Sequence, residues 1–199
     1  MVVDRSKLKS ELLDFYNFRG KNVLYVGAGG NQLLQPKSGA AGVVAIDSNA
    51  KSLDGFRKEA KTRWKGIPVE FIPKPFEETT TSGSLVYFEF CLHEMKDPEA
   101  ALDHAHSLAP EVLVMDHLPK SPWMFFAGEE EDAQRSATAM EAFGIRRRQE
   151  FTAMQKFDDY EQLETRMSDG GGPGALKRIS PLKGSKGIEI QMDYGLYLL

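Results

Sequence analysis

The sequence predicts a doubly wound α/β domain, in which a mostly parallel sheet carries helices on both faces. Three observations predict this fold class. Short apolar runs alternate with stretches of helical periodicity, as in consecutive βαβ units. Residues 85–88 are apolar at successive positions, as expected of a strand that is buried on both faces. Only a short helix and a loop separate the last two strands, so the final strand is predicted to be antiparallel.

Seven strands and five helices are predicted along the chain. The strands are expected at residues 22–26, 42–46, 69–72, 85–90, 111–115, 146–157 and 188–199. Four of the helices are expected at residues 6–18, 49–65, 128–143 and 158–167. The fifth begins at Asp97-Pro98-Glu99, where Asp97 is the N-cap and proline occupies the first turn, and its apolar stripe ends at Leu108. A glycine-rich loop is expected at residues 169–174.

Length and composition favour one domain in the cytoplasm. The chain has 199 residues and 41% hydrophobic residues, so residues 1–199 are expected to form a single domain with its own core. Cys91 is the only cysteine, which suits a reducing compartment. No signal peptide or membrane span is recognisable in the sequence. The net charge of −4 does not favour a non-specific nucleic-acid binder. We therefore expect neither nucleic-acid nor membrane partners, and the oligomeric state stays open.

A glycine turn at the end of the first strand predicts a cofactor site. Glycine permits positive φ and lets a ligand approach the backbone without a clash at Cβ. Asp47 follows the second strand, where a carboxylate can accept hydrogen bonds from the hydroxyl groups of an adenosine ribose. The expected cofactor contacts here are Gly27, Ala28, Gly29, Gly30, Asp47 and Ser48.

Two departures from the dinucleotide pattern favour S-adenosylmethionine over NAD. The pattern G-x-G-x-x-G would need glycine where this chain has Gln32. Pro36 is expected to interrupt, after little more than one turn, the helix that would face a pyrophosphate. S-adenosylmethionine carries no phosphate and tolerates a poorer helix N-terminus. An NAD(P)-dependent oxidoreductase remains the alternative.

These features resemble the class I S-adenosylmethionine-dependent methyltransferases, a family with a Rossmann-like seven-stranded sheet, over most of the chain. The first motif of that family reads roughly D/E-x-G-x-G-x-G. Gly27 and Gly29 match its first two glycines, whereas the acid position is Tyr25 and the third glycine is Asn31. The resemblance assigns Asp47 to the cofactor ribose. In the family the acid commonly helps to place the amino group of the cofactor, a role for which Tyr25 is unsuited.

The resemblance also implies the position of the last strand. The seventh strand of the family pairs antiparallel at the sheet edge, so the same is expected of residues 188–199. After the third strand the family has an acidic or polar residue beside the adenine. This chain has Pro73-Lys74-Pro75-Phe76 there, and no adenine contact is carried over.

Polar segments follow the fourth and fifth strands, at the sheet edge where open α/β sheets bind ligands. His93 is the candidate general base, because an unperturbed histidine has a pKa of about 6.5. Glu89 is expected to face the cofactor and Glu94 the substrate. Aromatic residues behind two prolines are expected to form either a loop that excludes water from the reaction or a hydrophobic plug over the sheet edge. The other substrate contacts expected are Asp116, His117 and Trp123.

The expected function is methyl transfer from S-adenosylmethionine to a small-molecule acceptor, as the resemblance implies. A non-catalytic S-adenosylmethionine-binding module is a further alternative, because Tyr25 replaces the acid of the motif. The four histidines show no recognisable spacing of metal ligands, so no metal is expected.

Overall fold

Seven strands form one sheet in the computed structural model, which describes residues 4–30 and 32–199. The strands are β1 (Asn22–Val26), β2 (Gly42–Ile46), β3 (Val69–Ile72), β4 (Leu85–Glu89), β5 (Val112–His117), β6 (Arg147–Asp159) and β7 (Lys186–Leu198). Their order in the sheet is β3-β2-β1-β4-β5-β7-β6. Strands β1 to β5 pair in parallel, and β7 runs antiparallel to both of its neighbours. The predicted fold class is confirmed. Asn31, at the third-glycine position of the motif, lies outside the described residues.

The prediction that the last strand lies at the sheet edge is wrong. Strand β7 lies between β5 and β6, with Leu196 opposite Met115 and Tyr194 opposite Phe151. The physical reason is burial, because the second half of β7 is buried on both faces whereas the first four residues of β6 are exposed. An exposed strand suits the edge, and a strand buried on both faces suits the interior of a sheet.

Helices cover both faces of this sheet. They are α1 (Arg5–Phe15), α2 (Leu53–Arg63), α3 (Pro98–Leu108), α4 (Pro122–Ala127), α5 (Glu130–Phe143), α6 (Tyr160–Gly170) and α7 (Ala175–Ile179). Helices α3 and α5 pack through residues such as Leu102 and Met140 against Phe88 and its neighbours. The other helices pack on the opposite face, where Leu12 and Phe56 belong to the larger core cluster. None of the helices in the described ranges is long and apolar enough to cross a membrane.

Several segments differ from the sequence prediction, among them the following three. The segment before Pro36 contains no helix at residues 32–35, because Leu33 and Leu34 are buried and the chain turns only in a short 3₁₀ helix at Pro36–Ser38. The aromatic segment expected as a loop forms α4, since proline is tolerated at the first helical position. Helix α2 begins four residues later than expected. Asn49 instead lies in a turn, because its side-chain oxygen accepts a hydrogen bond from the amide of Lys51.

Candidate active site

A cavity of about 510 Å³ opens at the carboxyl ends of the central strands. Cavities of a few hundred to a thousand Å³ are typical of small-molecule sites, and this edge of an open α/β sheet is where ligands bind. The cavity brings together ten of the twelve predicted site residues. These are Gly27, Gly29, Gly30, Asp47, Ser48, Glu89, His93, Glu94, His117 and Trp123. The other two, Ala28 and Asp116, do not line it.

The glycine turn is packed so closely that two of its glycines have no room for a side chain. Gly27 has a φ of +74°, and a Cβ there would lie 2.8 Å from the backbone oxygen of Glu89. A Cβ on Gly29 would lie 2.3 Å from Cβ of Ser52 and 2.6 Å from Oδ2 of Asp47. Ala28 is fully buried and its amide donates to the carbonyl of Ile46 (3.3 Å). Ala28 therefore packs in the core, and its predicted contact with the cofactor finds no support in this geometry.

Asp47 lies directly after β2 and holds the glycine turn. Its Oδ2 accepts the amide of Gly29 (3.0 Å), and its Oδ1 accepts the amide of Asn49 (2.9 Å). An ionised carboxylate has about four acceptor positions, so two bonds leave capacity for the hydroxyl groups of a ligand. Asp47 also lines a second cavity, which places it between two compartments.

The second cavity has a volume of about 250 Å³ and shares five lining residues with the first: Gly27, Asp47, Ser48, Cys91 and Glu94. Its other walls combine apolar residues, such as Val26, Phe76 and Met95, with the charged residues Lys74, Glu77 and Lys96. Of its lining residues, sequence reasoning predicted only ones that it shares with the first cavity. The available signal was the apolar pair Pro75-Phe76 directly after the third strand, in place of the polar residue that was sought.

Glu89 ends β4 in a buried cradle of hydroxyl and amide donors. Its Oε2 accepts hydrogen bonds from the hydroxyl groups of Tyr25 and Tyr87 (the latter at 3.2 Å) and from the amide of Leu33 (3.0 Å). Burial raises the pKa of Glu89 to about 7, although these hydrogen bonds act in the opposite direction. Phe90 then adopts a φ of +50°, which ends the strand one residue earlier than predicted.

His93 and Asp116 form a buried ion pair beside the cavity. Nδ1 of His93 lies 2.5 Å from Oδ1 of Asp116, and Oδ2 accepts the His93 amide (2.9 Å). Burial lowers the pKa of His93, but the Asp116 carboxylate outweighs it and the pKa rises to about 9. Asp116 also accepts the amide of His117 (2.9 Å), so its predicted contact with the substrate finds no support in this geometry. Asp116 instead positions His93.

His117 differs from His93 although their ring centroids are only 5.3 Å apart. Burial lowers the pKa of His117 to about 3, and the neighbouring His93 cation acts in the same direction. Its Nδ1 has no hydrogen-bond partner among the described residues. The pair therefore presents one charged and one neutral imidazole to the cavity at neutral pH.

One wall of the cavity contains Trp123, which was predicted, together with residues that sequence reasoning missed. Trp123 stacks on Phe157 with a centroid distance of 6.1 Å, and Gln155 is buried beside them on β6. The Oε1 atom of Gln155 has no partner within the part of the chain that the structure describes. Arg166 from α6 and Glu129 complete this wall. Gln155 could have been found as a polar residue within an alternating strand, whereas Glu129 and Arg166 gave no sequence signal.

Metal ligation has no geometric basis in the described ranges. No group of three or more His, Cys, Asp or Glu side chains there has an arrangement that could hold a metal ion.

Comparison with known proteins gives matches in structure alone. No protein-family model and no curated protein sequence matches the chain. Among solved structures, a SAM dependent methyltransferase from Aquifex aeolicus is 18% identical, with a TM-score of 0.57 over 98% of this chain and 89% of that one. The magnesium protoporphyrin IX methyltransferase of Synechocystis PCC 6803, solved with bound SAH, is 13% identical, with a TM-score of 0.55 over 97% of this chain and 80% of that one.

The chain has the class I methyltransferase fold. A candidate RNA methyltransferase from Pyrococcus horikoshii has the same fold, with 13% identity and a TM-score of 0.59 over 98% of this chain and 81% of that one. The methyltransferase fold thus serves neighbours with different acceptors.

Within the methyltransferase fold, the present chain departs from a dinucleotide site in two ways. The antiparallel β7 lies between β5 and β6, whereas a parallel sixth strand follows β5 in the dinucleotide-binding fold. The segment after the glycine turn also contains no helix at residues 32–35 to receive a pyrophosphate. Both observations disfavour the NAD(P) alternative.

Proposed function

We propose that this protein transfers a methyl group from S-adenosylmethionine to a small molecule that carries an O–H or N–H group. The observation that carries this proposal is the position of Asp47 between two adjoining cavities, both of which it lines together with Gly27 and Ser48. Within this proposal residues 1–199 act as one domain, and the cytoplasm is the expected compartment.

The two cavities fit the parts of S-adenosylmethionine. Asp47 would accept the ribose hydroxyl groups, while Gly27 and Gly29 would let the ligand approach the backbone. Phe76 and Met95 line the smaller cavity, which suits a flat, weakly polar ring such as adenine. The larger cavity would take the amino acid part, together with the acceptor. Three of the buried polar atoms without a partner in the described ranges belong to its walls, in Glu89, His117 and Gln155.

S-adenosylmethionine supplies an electrophilic methyl group when it is bound. Transfer of that group to an O–H or N–H acceptor leaves a proton to be removed. His93 in its neutral form would take this proton at Nε2, and Asp116 would stabilise the imidazolium that forms. Because the pKa of His93 is about 9, the neutral form is the minor form at neutral pH, and its fraction grows as the pH rises towards 9. Gln155 and Trp123 would hold the acceptor against the opposite wall.

Depth of the site supports a small acceptor. His93, His117, Trp123 and Gln155 are each at least nine-tenths buried, so an acceptor must enter the cavity to reach them. RNA is the main rival, because one structural neighbour is a candidate RNA methyltransferase. The net charge of −4 favours the small molecule.

Isothermal titration calorimetry with S-adenosylmethionine, S-adenosylhomocysteine and NAD tests the cofactor. Micromolar binding of both sulfur compounds without binding of NAD is expected, and binding of NAD alone would overturn the proposal. The acceptor is then sought with methyl-labelled S-adenosylmethionine, hydroxyl- and amine-bearing compounds, and total RNA. Label that enters RNA but none of the compounds would refute the small-molecule acceptor. Cofactor binding without any transfer would favour the non-catalytic module.

A further inference from the structure

Glu89 is a buried carboxylate that lacks a cationic partner among the described residues. It is 3% exposed and belongs to none of the ion pairs in the described ranges. The titratable side chains that face it are Tyr25 on β1, Tyr87 on β4 and Cys91 just beyond β4. Burial raises the pKa of all three well above their ordinary values, so each is neutral at pH 7.

Only one of the two carboxylate oxygens of Glu89 is satisfied. Oε2 accepts the hydrogen bonds from Tyr25, Tyr87 and the amide of Leu33. Oε1 is buried and has no partner with hydrogen-bond geometry in the described part of the chain, although the backbone amide of Gln32 also acts to lower the pKa of this carboxyl. A buried anion without a counter-charge is unfavourable, and a buried acceptor without a donor adds to the cost. A cationic donor that enters the cavity would relieve both.

The position of Glu89 limits which part of a ligand can reach it. Its backbone oxygen lies against Gly27, so Glu89 and the glycine turn form one continuous wall. Asp47 and His93 line the same cavity as Glu89. In the sequence Asp47 precedes Glu89, and His93 follows it. A ligand whose ribose is held by Asp47 would pass Glu89 with the substituent on its ribose.

We propose that Glu89 binds the α-ammonium group of S-adenosylmethionine through Oε1, so that the acid for this group comes from β4 rather than from β1. This inference rests on the proposed function. Tyr25 occupies the β1 position that the family motif gives to an acid, and it lies directly opposite Tyr87 in the parallel register. The two tyrosine hydroxyl groups hold Oε2, which leaves Oε1 for the ligand.

Ammonium binding would be coupled to proton release. Glu89 has a pKa of about 7, so a sizeable fraction of the ligand-free protein carries a proton there at neutral pH. An ammonium ion favours the ionised carboxylate, and the bound state would lose that proton. A ligand that lacks the ammonium group would not cause this loss.

Calorimetry with two ligands and matched variants tests the proposal. The probes are S-adenosylhomocysteine, which carries the ammonium group, and 5′-methylthioadenosine, which lacks the whole amino acid part. Glu89→Gln is expected to weaken the binding of S-adenosylhomocysteine by about 30-fold or more at pH 8, because removal of one partner of a buried charge pair usually has an effect of this size. Its effect on 5′-methylthioadenosine should be less than about 3-fold. Glu94→Gln, an exposed acid at the same cavity, should weaken both ligands equally or neither.

Proton release gives an independent readout. Titrations of the wild type with S-adenosylhomocysteine at pH 7, in buffers of different ionisation enthalpy, should show release of part of a proton, and Glu89→Gln should show none. Tyr25→Phe keeps the packing but removes one donor to Oε2, so it should shift the pH dependence of binding towards higher pH. This second variant keeps the proposal testable if Glu89→Gln does not fold.

The outcomes separate this proposal from the proposed function. Equal effects of Glu89→Gln on the two ligands would overturn the role of Glu89 and leave the cofactor assignment intact. A selective loss in Glu94→Gln instead of Glu89→Gln would place the ammonium at the cavity mouth and also overturn it. Failure of both ligands to bind the wild type would refute the proposed function itself.

Discussion

Nδ1 of His93 lies 2.5 Å from Oδ1 of Asp116, and both side chains are almost completely buried. The carboxylate determines which ring nitrogen carries the proton, because Nδ1 must donate to it. Nε2 of His93 is then the atom that remains for a ligand, with Glu129 as its nearest carboxylate at 3.9 Å. This relationship sets the first two predictions.

Replacement of Asp116 by asparagine should lower the pKa of His93 from about 9 to its ordinary value or below. The carboxylate is the main cause of the rise, whereas burial acts in the opposite direction and remains in the variant. The measurement is an NMR titration of the His93 ring, assigned with His93→Gln. His104, which contacts the carbonyl of Thr79 far from the pair, is the internal control. A His93 titration that stays near 9 would contradict the assignment.

The same pair should make stability depend on pH. A histidine with a raised pKa stabilises the folded state fully below its unfolded pKa of about 6.5, and this contribution disappears as the pH rises through 9. His93→Gln should therefore cost more unfolding free energy at pH 6 than at pH 10, by about 3 kcal/mol. Urea denaturation of both proteins at the two pH values measures this difference. The same cost at both values would exclude the linkage.

Gly29→Ala should destabilise the glycine turn. The added Cβ would lie within 2.6 Å of both Ser52 and Asp47, so the turn must move away from α2. Such overpacking costs roughly 1–3 kcal/mol. Gly30→Ala is the matched control, because its Cβ would meet only the Gly27 oxygen at 3.3 Å. Thermal unfolding of the two variants should rank them in this order, and the reverse order would show that the turn is not tightly packed.

Asp47→Asn should weaken the binding of S-adenosylhomocysteine by about 10-fold or more, because charge-assisted hydrogen bonds to the ligand are lost. The amide oxygen of asparagine can keep one of the two backbone bonds that Asp47 makes with Gly29 and Asn49. The control ligand is an analogue without the two ribose hydroxyl groups, whose affinity should change little. Equal losses for both ligands would mean that Asp47 supports the turn and does not bind the ribose.

Glu89→Gln should stabilise the ligand-free protein above neutral pH. The unfolded chain loses the Glu89 proton near pH 4.5 and the folded protein near pH 7, so wild-type stability falls between these values. The variant lacks this loss, and its advantage at pH 8 relative to pH 4 should be about 3 kcal/mol. Urea denaturation at the two pH values tests it. An unchanged difference between the proteins would mean that Glu89 is not held in its neutral form.

Local patterns predicted most of the sheet, and long-range pairing accounts for much of the rest. Strands β1, β2 and β3 have the predicted bounds, because β-branched runs end there at glycine, proline or aspartate. Strand β5 is longer than predicted, since Asp116 and His117 pair with Gly195 and Tyr194 of β7. That pairing joins segments almost eighty residues apart and leaves no local signal.

The candidate site, too, was predicted where the signal is local in the sequence and missed where it depends on long-range contacts. The glycine turn and Asp47 could be found because each directly follows a strand in the sequence. The burial of Asp116 beside His93 could not be predicted from the sequence, because it depends on how β5 and the loop after β4 approach each other. Helix α4 was missed because two prolines indicated a loop, although proline also begins helices.

The parallel register of β1 and β4 has a consequence for how such proteins are detected. Tyr25 and Tyr87 are directly opposite each other, and Glu89 is only two residues beyond. A side chain at the end of one strand can therefore reach the space that a residue on the adjacent strand would fill. A sequence profile that requires an acid two residues before the first glycine tests the end of β1 alone. It takes no account of an acid at the end of β4. Profiles that score the two strands jointly would recover chains in which the acid has moved to the neighbouring strand.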